Sequence, residues 1–117
     1  MQLSEFPDVI ATYQREIHYL STSIARGLKS DLAEMEASIK HKVAFDSDLK
    51  NDRQRDACIA EFKAGNDYRS VQRELEKVQD RQAELEIELE RVRGMFTAAK
   101  LEARERVALA ELQTAFN

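Results

Sequence analysis

One stretch constrains this chain more than any other. Tyr68, Val71, Leu75, Val78, Gln82, Leu85, Leu89, Val92 and Phe96 recur at alternating steps of three and four. Apolar residues held at that spacing over four heptads specify a helix that buries one narrow stripe against another helix. A sheet cannot use the pattern, because strand side chains alternate with period two. Gln82 is the one polar residue in the run. At such a position a polar side chain sets the register between paired helices, as a buried Asn does in other coiled coils.

The rest of the sequence agrees with long helices. Of 117 residues, three are glycine and one is proline, while 34% are charged. That composition, rich in Ala, Glu, Lys, Leu and Arg, belongs to coiled coils and extended helices. With no tryptophan and 7% aromatic residues, a thick globular core is not expected. The chain length suits a single domain.

An earlier seam runs Phe6, Ile10, Tyr13, Ile17, Leu20, Ile24. Strict continuation would place Gly27 and Asp31 next. The apolar side chains instead move one place on, to Leu28 and Leu32, and continue to Met35 and Ile39. A one-residue skip changes the local winding without ending a helix. Since glycine costs about 1 kcal/mol relative to alanine inside a helix, a bend or weakened packing, not a break, is expected at Gly27. Pro7 fits a first turn, where its missing N–H would be unpaired anyway. Ser4, Glu5 and Asp8 supply acceptors and negative charge to that start.

Asp46-Ser47-Asp48 has turn composition, because short polar side chains bond the local backbone. Asn51, with Gln54 three residues on, reads as an N-cap and its capping-box partner. A short helix with Ala57, Cys58, Ile59 and Phe62 on its apolar side is expected to end at Gly65 in the left-handed conformation. Asn66 or Asp67 would then cap the next helix. The expected architecture is all-α: helices over about 8–42, 52–64 and 67–114, forming one long antiparallel hairpin with a short corner helix. The last helix would be roughly 70 Å long at 1.5 Å per residue, against roughly 50 Å for the first. It therefore overhangs its partner by several turns.

The overhang contains Ala98, Ala99, Leu101, Ala103, Val107, Ala108, Leu109, Ala110 and Leu112, which is too apolar to stand alone in water. A second stripe, Ile87, Gly94, Leu101 and Ala108, recurs every seven residues on the back of the same helix. Small residues in it admit another helix closely. A two-helix hairpin has little buried area to offset its conformational entropy. A homodimer in a four-helix arrangement is thus expected, with Ile87, Gly94, Leu101 and Ala108 as the candidate protein-interaction surface.

Charge divides along the same helix. Between Glu74 and Glu90 seven acids face Lys77 and Arg81, a net of −5. Between Arg91 and Arg106 five bases face Glu102 and Glu105, a net of +3. A uniformly basic nucleic-acid binder is disfavoured, and the alternative nucleic-acid surface reduces to Arg91, Arg93, Lys100, Arg104 and Arg106. Those five do not share one narrow face, and no aromatic is interleaved to stack bases. Opposite charges three residues apart, such as Glu88 with Arg91 and Glu90 with Arg93, predict a mutually screened, solvated face.

Chemistry-bearing constellations are lacking. Cys58 is the sole cysteine, and His18 and His41 lie far apart, so no zinc ligand set is assembled. Asp46 to Asn51 begins like a calcium loop but lacks its third ligand, its glycine and its terminal Glu. No phosphate loop, nucleophile elbow or pocketed carboxylate pair is present. The expectation is a non-enzymatic protein without cofactor. One cysteine makes no internal disulfide, no apolar run follows a basic start, and none approaches the ~18 residues that span a bilayer. A cytoplasmic, non-membrane protein is expected.

The run Asn51-Asp52-Arg53-Gln54-Arg55-Asp56-Ala57, then Tyr68, then Leu85 to Arg93 and Phe96 resembles a group of small helical proteins of phages and other bacterial mobile elements. In that group a short capped helix carrying Arg-x-Ala precedes a tyrosine and a long coiled-coil helix. Their genes tend to sit among recombination and replication genes. The resemblance implies a coiled-coil adaptor or accessory factor in DNA metabolism and carries no catalytic residues.

Overall fold

The computed structural model describes residues 1–116 and is helical throughout, with no strand among the described residues. The elements are a 3-10 turn at Leu3–Glu5, α1 at Phe6–Tyr19, a π-helical turn at Leu20–Ala25, α2 at Arg26–Ala44, α3 at Asp52–Ala64 and α4 at Asn66–Phe116. They form two compact units. One comprises Met1–His18 with the chain from Ala83 onward, the other Tyr19–Gln82.

In the first unit the two seams meet. Phe6, Leu85, Leu89 and Val92 are buried, and Ile10, Tyr13, Ile17 and Phe96 are half-buried. The Phe6 and Phe96 rings stack with centroids 5.3 Å apart and planes 15° from parallel, an offset arrangement that aromatic quadrupoles favour. The seam of α4 runs about two turns past Phe96, since Ala99 and Ala103 are half-buried too. At the chain start, the Gln2 N–H donates to Glu5 Oε2 at 3.2 Å. The acceptor for this start is therefore Glu5, while Ser4 lies within the 3-10 turn and α1 begins at Phe6.

In the second unit the skipped heptad has a specific structural answer. The expected bend at Gly27 is instead a π-helical turn just upstream, in which the Arg26 N–H donates to the Ser21 carbonyl five residues back. A π turn takes one residue more than an α turn. It therefore absorbs the extra residue in the seam: Leu20 and Ile24 within it, and Leu28, Leu32, Met35 and Ile39 after it, are all half-buried, and Ala25 is buried at its end. Gly27 itself is exposed in regular helix, and a Cβ there would meet nothing.

The corner follows the predicted chemistry with two corrections. The Asp48 N–H donates to Asp46 Oδ1 at 2.9 Å, closing the turn that Asp46-Ser47-Asp48 predicts. The Gln54 N–H donates to Asn51 Oδ1 at 2.9 Å, so Asn51 caps α3. Gln54 Oε1 reaches past the cap and accepts from the Lys50 N–H at 2.7 Å. Cys58, Ile59 and Phe62 are half-buried, whereas Ala57 is exposed.

The first correction is Gly65, which is not left-handed. Its φ of −73° and ψ of 162° are extended, a conformation open to any residue. The second is that neither Asn66 nor Asp67 lies before α4, because both are inside it. A single residue joins α3 to α4. The Gly65 N–H donates to the Phe62 carbonyl at 3.0 Å, and the Gly65 carbonyl accepts from the Arg69 N–H at 3.1 Å. A Cβ on residue 65 would sit 3.1 Å from the Phe62 oxygen, so close backbone approach is what favours glycine.

Lys63 Nζ bridges from α3 to Glu36 Oε1 on α2 at 2.8 Å, and Lys40 joins the same carboxylate at 3.3 Å. Tyr68 is buried beside Phe62, with ring centroids 6.1 Å apart.

Candidate interaction surface

A 51-residue helix that buries only one stripe leaves its opposite face to be accounted for. On α4 the seam occupies one side, and Ile87, Gly94 and Leu101, seven apart, occupy the other at 100° per residue. Ile87 is 68% exposed and Leu101 53% exposed, and Gly94 and Ala108 are exposed as well. Ala98 and Leu112 share that face by the same periodicity and are also exposed.

The end of α4 is apolar on both sides. Every residue from Arg104 to Phe116 is exposed. Val107 and Ala110 continue the buried seam beyond Ala103, where among the described residues they are left exposed. Leu112 and Phe116, the latter 83% exposed, extend the back face. Ala108, Leu109 and Leu112 border a shallow depression of about 490 Å³. Phe116 was not singled out by the sequence reading. The signal available for it was its four-residue step from Leu112.

Water does not favour this much apolar surface on one helix. At about 25 cal/mol per Å², covering even the larger side chains of the face gives several kcal/mol. A contiguous exposed apolar patch of this kind marks an association site.

The five bases of the alternative surface are differently placed. Arg91 grips Glu88 through Nε at 3.0 Å and Nη2 at 2.8 Å, and its Nη1 lies 3.2 Å from Met95 Sδ. Its pKa is raised above the ordinary guanidinium value, chiefly by the hydrogen bond to Glu88, with burial opposing and the Tyr13 hydroxyl adding a little. Arg93 Nη1 pairs with Glu90 Oε1 at 3.1 Å. The Lys100 ammonium sits 4.4 Å above the Phe96 ring, an attraction between cation and π face. Arg104 and Arg106 are exposed on the terminal part of α4. Three of the five are thus engaged within the chain. The predicted i to i+3 pairs form as the spacing requires, and Lys77 with Glu74 at 3.5 Å is a further one.

One open concavity lies away from α4. A depression of about 380 Å³ between α2 and α3 is lined by Met35, Ile39 and Phe62 with Glu34, Ser38 and Lys42 at its rim. Among the described residues no three His, Cys, Asp or Glu side chains converge as metal ligands, and no helix is long and apolar enough to cross a membrane. The chain matches no protein-family model, no curated protein and no solved structure.

Proposed function

We propose that this chain is a non-enzymatic coiled-coil adaptor, a cytoplasmic accessory factor in the DNA metabolism of a phage or bacterial mobile element. Its form is an antiparallel helical hairpin that dimerises through the long helix α4. Antiparallel order is supported inside the first unit, where Phe6 stacks on Phe96 while the Tyr13 hydroxyl acts electrostatically on Arg91.

A single observation carries the function: the apolar back face and terminus of α4, with Ile87, Leu101, Leu112 and Phe116 all more than half exposed. The mechanism is burial of that face against another helix, a recurring way for helices to recognise partners. Truncating Leu101 to alanine removes about 2 kcal/mol of association, roughly 30-fold in the dissociation constant, while far-ultraviolet dichroism stays that of the parent. Sedimentation that is indifferent to the truncation refutes the assignment of this face.

Direct nucleic-acid binding through Arg91, Arg93, Lys100, Arg104 and Arg106 is the competing reading. It predicts affinity for duplex or single strand that falls steeply with salt. The pairing of Arg91 with Glu88 and of Arg93 with Glu90 counts against it, because those charges are already neutralised. Titration with labelled duplex and single-stranded DNA at low salt separates the two: the adaptor reading expects no shift.

A further inference from the structure

We infer that the occupant of the α4 back face is a second copy of this chain, crossing antiparallel about a two-fold axis at Gly94. This rests on the association reading above and adds the direction and the register.

Gly94 is the first ground. It stands in the interior of a 51-residue helix, where glycine costs about 1 kcal/mol relative to alanine. Nothing within the chain calls for it. It has no positive φ, its surface is exposed, and a Cβ built there would meet no atom within 4 Å. A missing side chain on an exposed helix face lets another backbone come close.

The symmetry of the stripe is the second ground. Ile87 lies seven residues before Gly94 and Leu101 seven after, on the same face, and both are more than half exposed. A two-fold axis at Gly94 sets Ile87 of each copy against Leu101 of the other. Every contact then occurs twice, as a closed isologous pair requires.

Charge decides the direction. An antiparallel crossing at Gly94 lays the acidic stretch before Arg91 along the basic stretch after it. Residues 82–93, a net of −2 with Arg91 and Arg93 counted, then lie along residues 95–106 of the second copy, a net of +1. A parallel pairing also places Gly94 on Gly94, but it sets the net −2 of residues 82–93 against itself and the net +1 of residues 95–106 against itself. Each exposed pair is worth little. Their summed sign is nonetheless what selects helix orientation.

The test uses the full chain with Cys58→Ser, carrying single cysteines at Gly94, Ile87 or Leu101. Gly94→Cys is expected to oxidise to a linked dimer. Ile87→Cys and Leu101→Cys stay unlinked alone under a short bis-maleimide and link to each other when mixed. Gly94→Leu weakens the dimer at least ~10-fold while strengthening the isolated helix, since leucine is the better helix former, so lost association cannot be blamed on unfolding. Self-linking of Ile87→Cys and Leu101→Cys without a mixed product overturns the inference, as does a monomeric parent at every concentration. If Leu101→Ala weakens a dimer whose links fall in another register, the crossing at Gly94 is wrong and the association face stands. If Leu101→Ala leaves association unchanged, both fall.

Discussion

The ring of Phe6 lies stacked on that of Phe96, 5.3 Å away, although 89 residues separate them in the chain. Phe6 is 3% exposed, so the pair closes the seam at the very start of α1. Phe6→Ala is expected to destabilise by about 3–4 kcal/mol, the range for deleting a buried phenylalanine. Denaturant unfolding followed by circular dichroism measures it. A loss below about 1 kcal/mol, typical of a surface change, would mean that Phe6 is not packed as described.

Glu36 and Lys63 give a pH dependence with a definite sign. The Glu36 pKa is lowered, first by the Lys63 hydrogen bond and then by that of Lys40, and the Lys63 pKa is raised, chiefly by Glu36 with burial opposing. A lowered carboxyl contributes stability that is complete above the ordinary carboxylate range and fades as pH falls through the lowered value. A raised ammonium contributes below the ordinary lysine range and fades as pH climbs through the raised value. The pair therefore supports the fold on a plateau between those limits. Its side chains are about a third exposed, so salt screens it. In Glu36→Gln the acid limb of the melting-temperature profile should be shallower than in the parent, and identical limbs would remove the pair from the account.

Asn51 anchors α3 through one short hydrogen bond from the Gln54 N–H. Asn51→Ala should cost about 1 kcal/mol and Asn51→Asp almost nothing, because aspartate offers the same acceptor. Thermal melts of the two variants settle the matter: equal losses would show that side-chain size, not the acceptor, is what counts there.

Deleting Gly27 removes the extra residue between Ile24 and Leu28. The steps from Phe6 to Ile39 then alternate three and four without a skip, so the π turn has no residue left to absorb. The deletion also removes a helix-interior glycine worth about 1 kcal/mol. The shortened chain is expected to fold with higher thermal stability. A marked drop in melting temperature would show that the π turn serves something beyond register.

Much of the helical architecture was legible in the residues. Periodicity alone located the stripe from Tyr68 to Phe96, which is buried or half-buried throughout. The Asn51 cap and the Asp46 turn were legible too, because both are made by side chains acting within a few residues of themselves. The skip after Ile24 was visible, but not its form. Whether a surplus residue is taken up by bending, unwinding or a π turn depends on what the flanking turns pack against.

Gly65 shows the same division. A glycine at a helix end ordinarily signals a left-handed cap, yet two helices joined by one residue need an extended link there. As for the candidate surface, the sequence by itself determined that a second apolar stripe exists on the long helix, because side-chain spacing and helical pitch require it. Only the tertiary structure decided that the stripe is uncovered within the chain and that Arg91, Arg93 and Lys100 are engaged nearby. Exposure and ion pairing are properties of which surfaces meet, and spacing along a chain does not encode them.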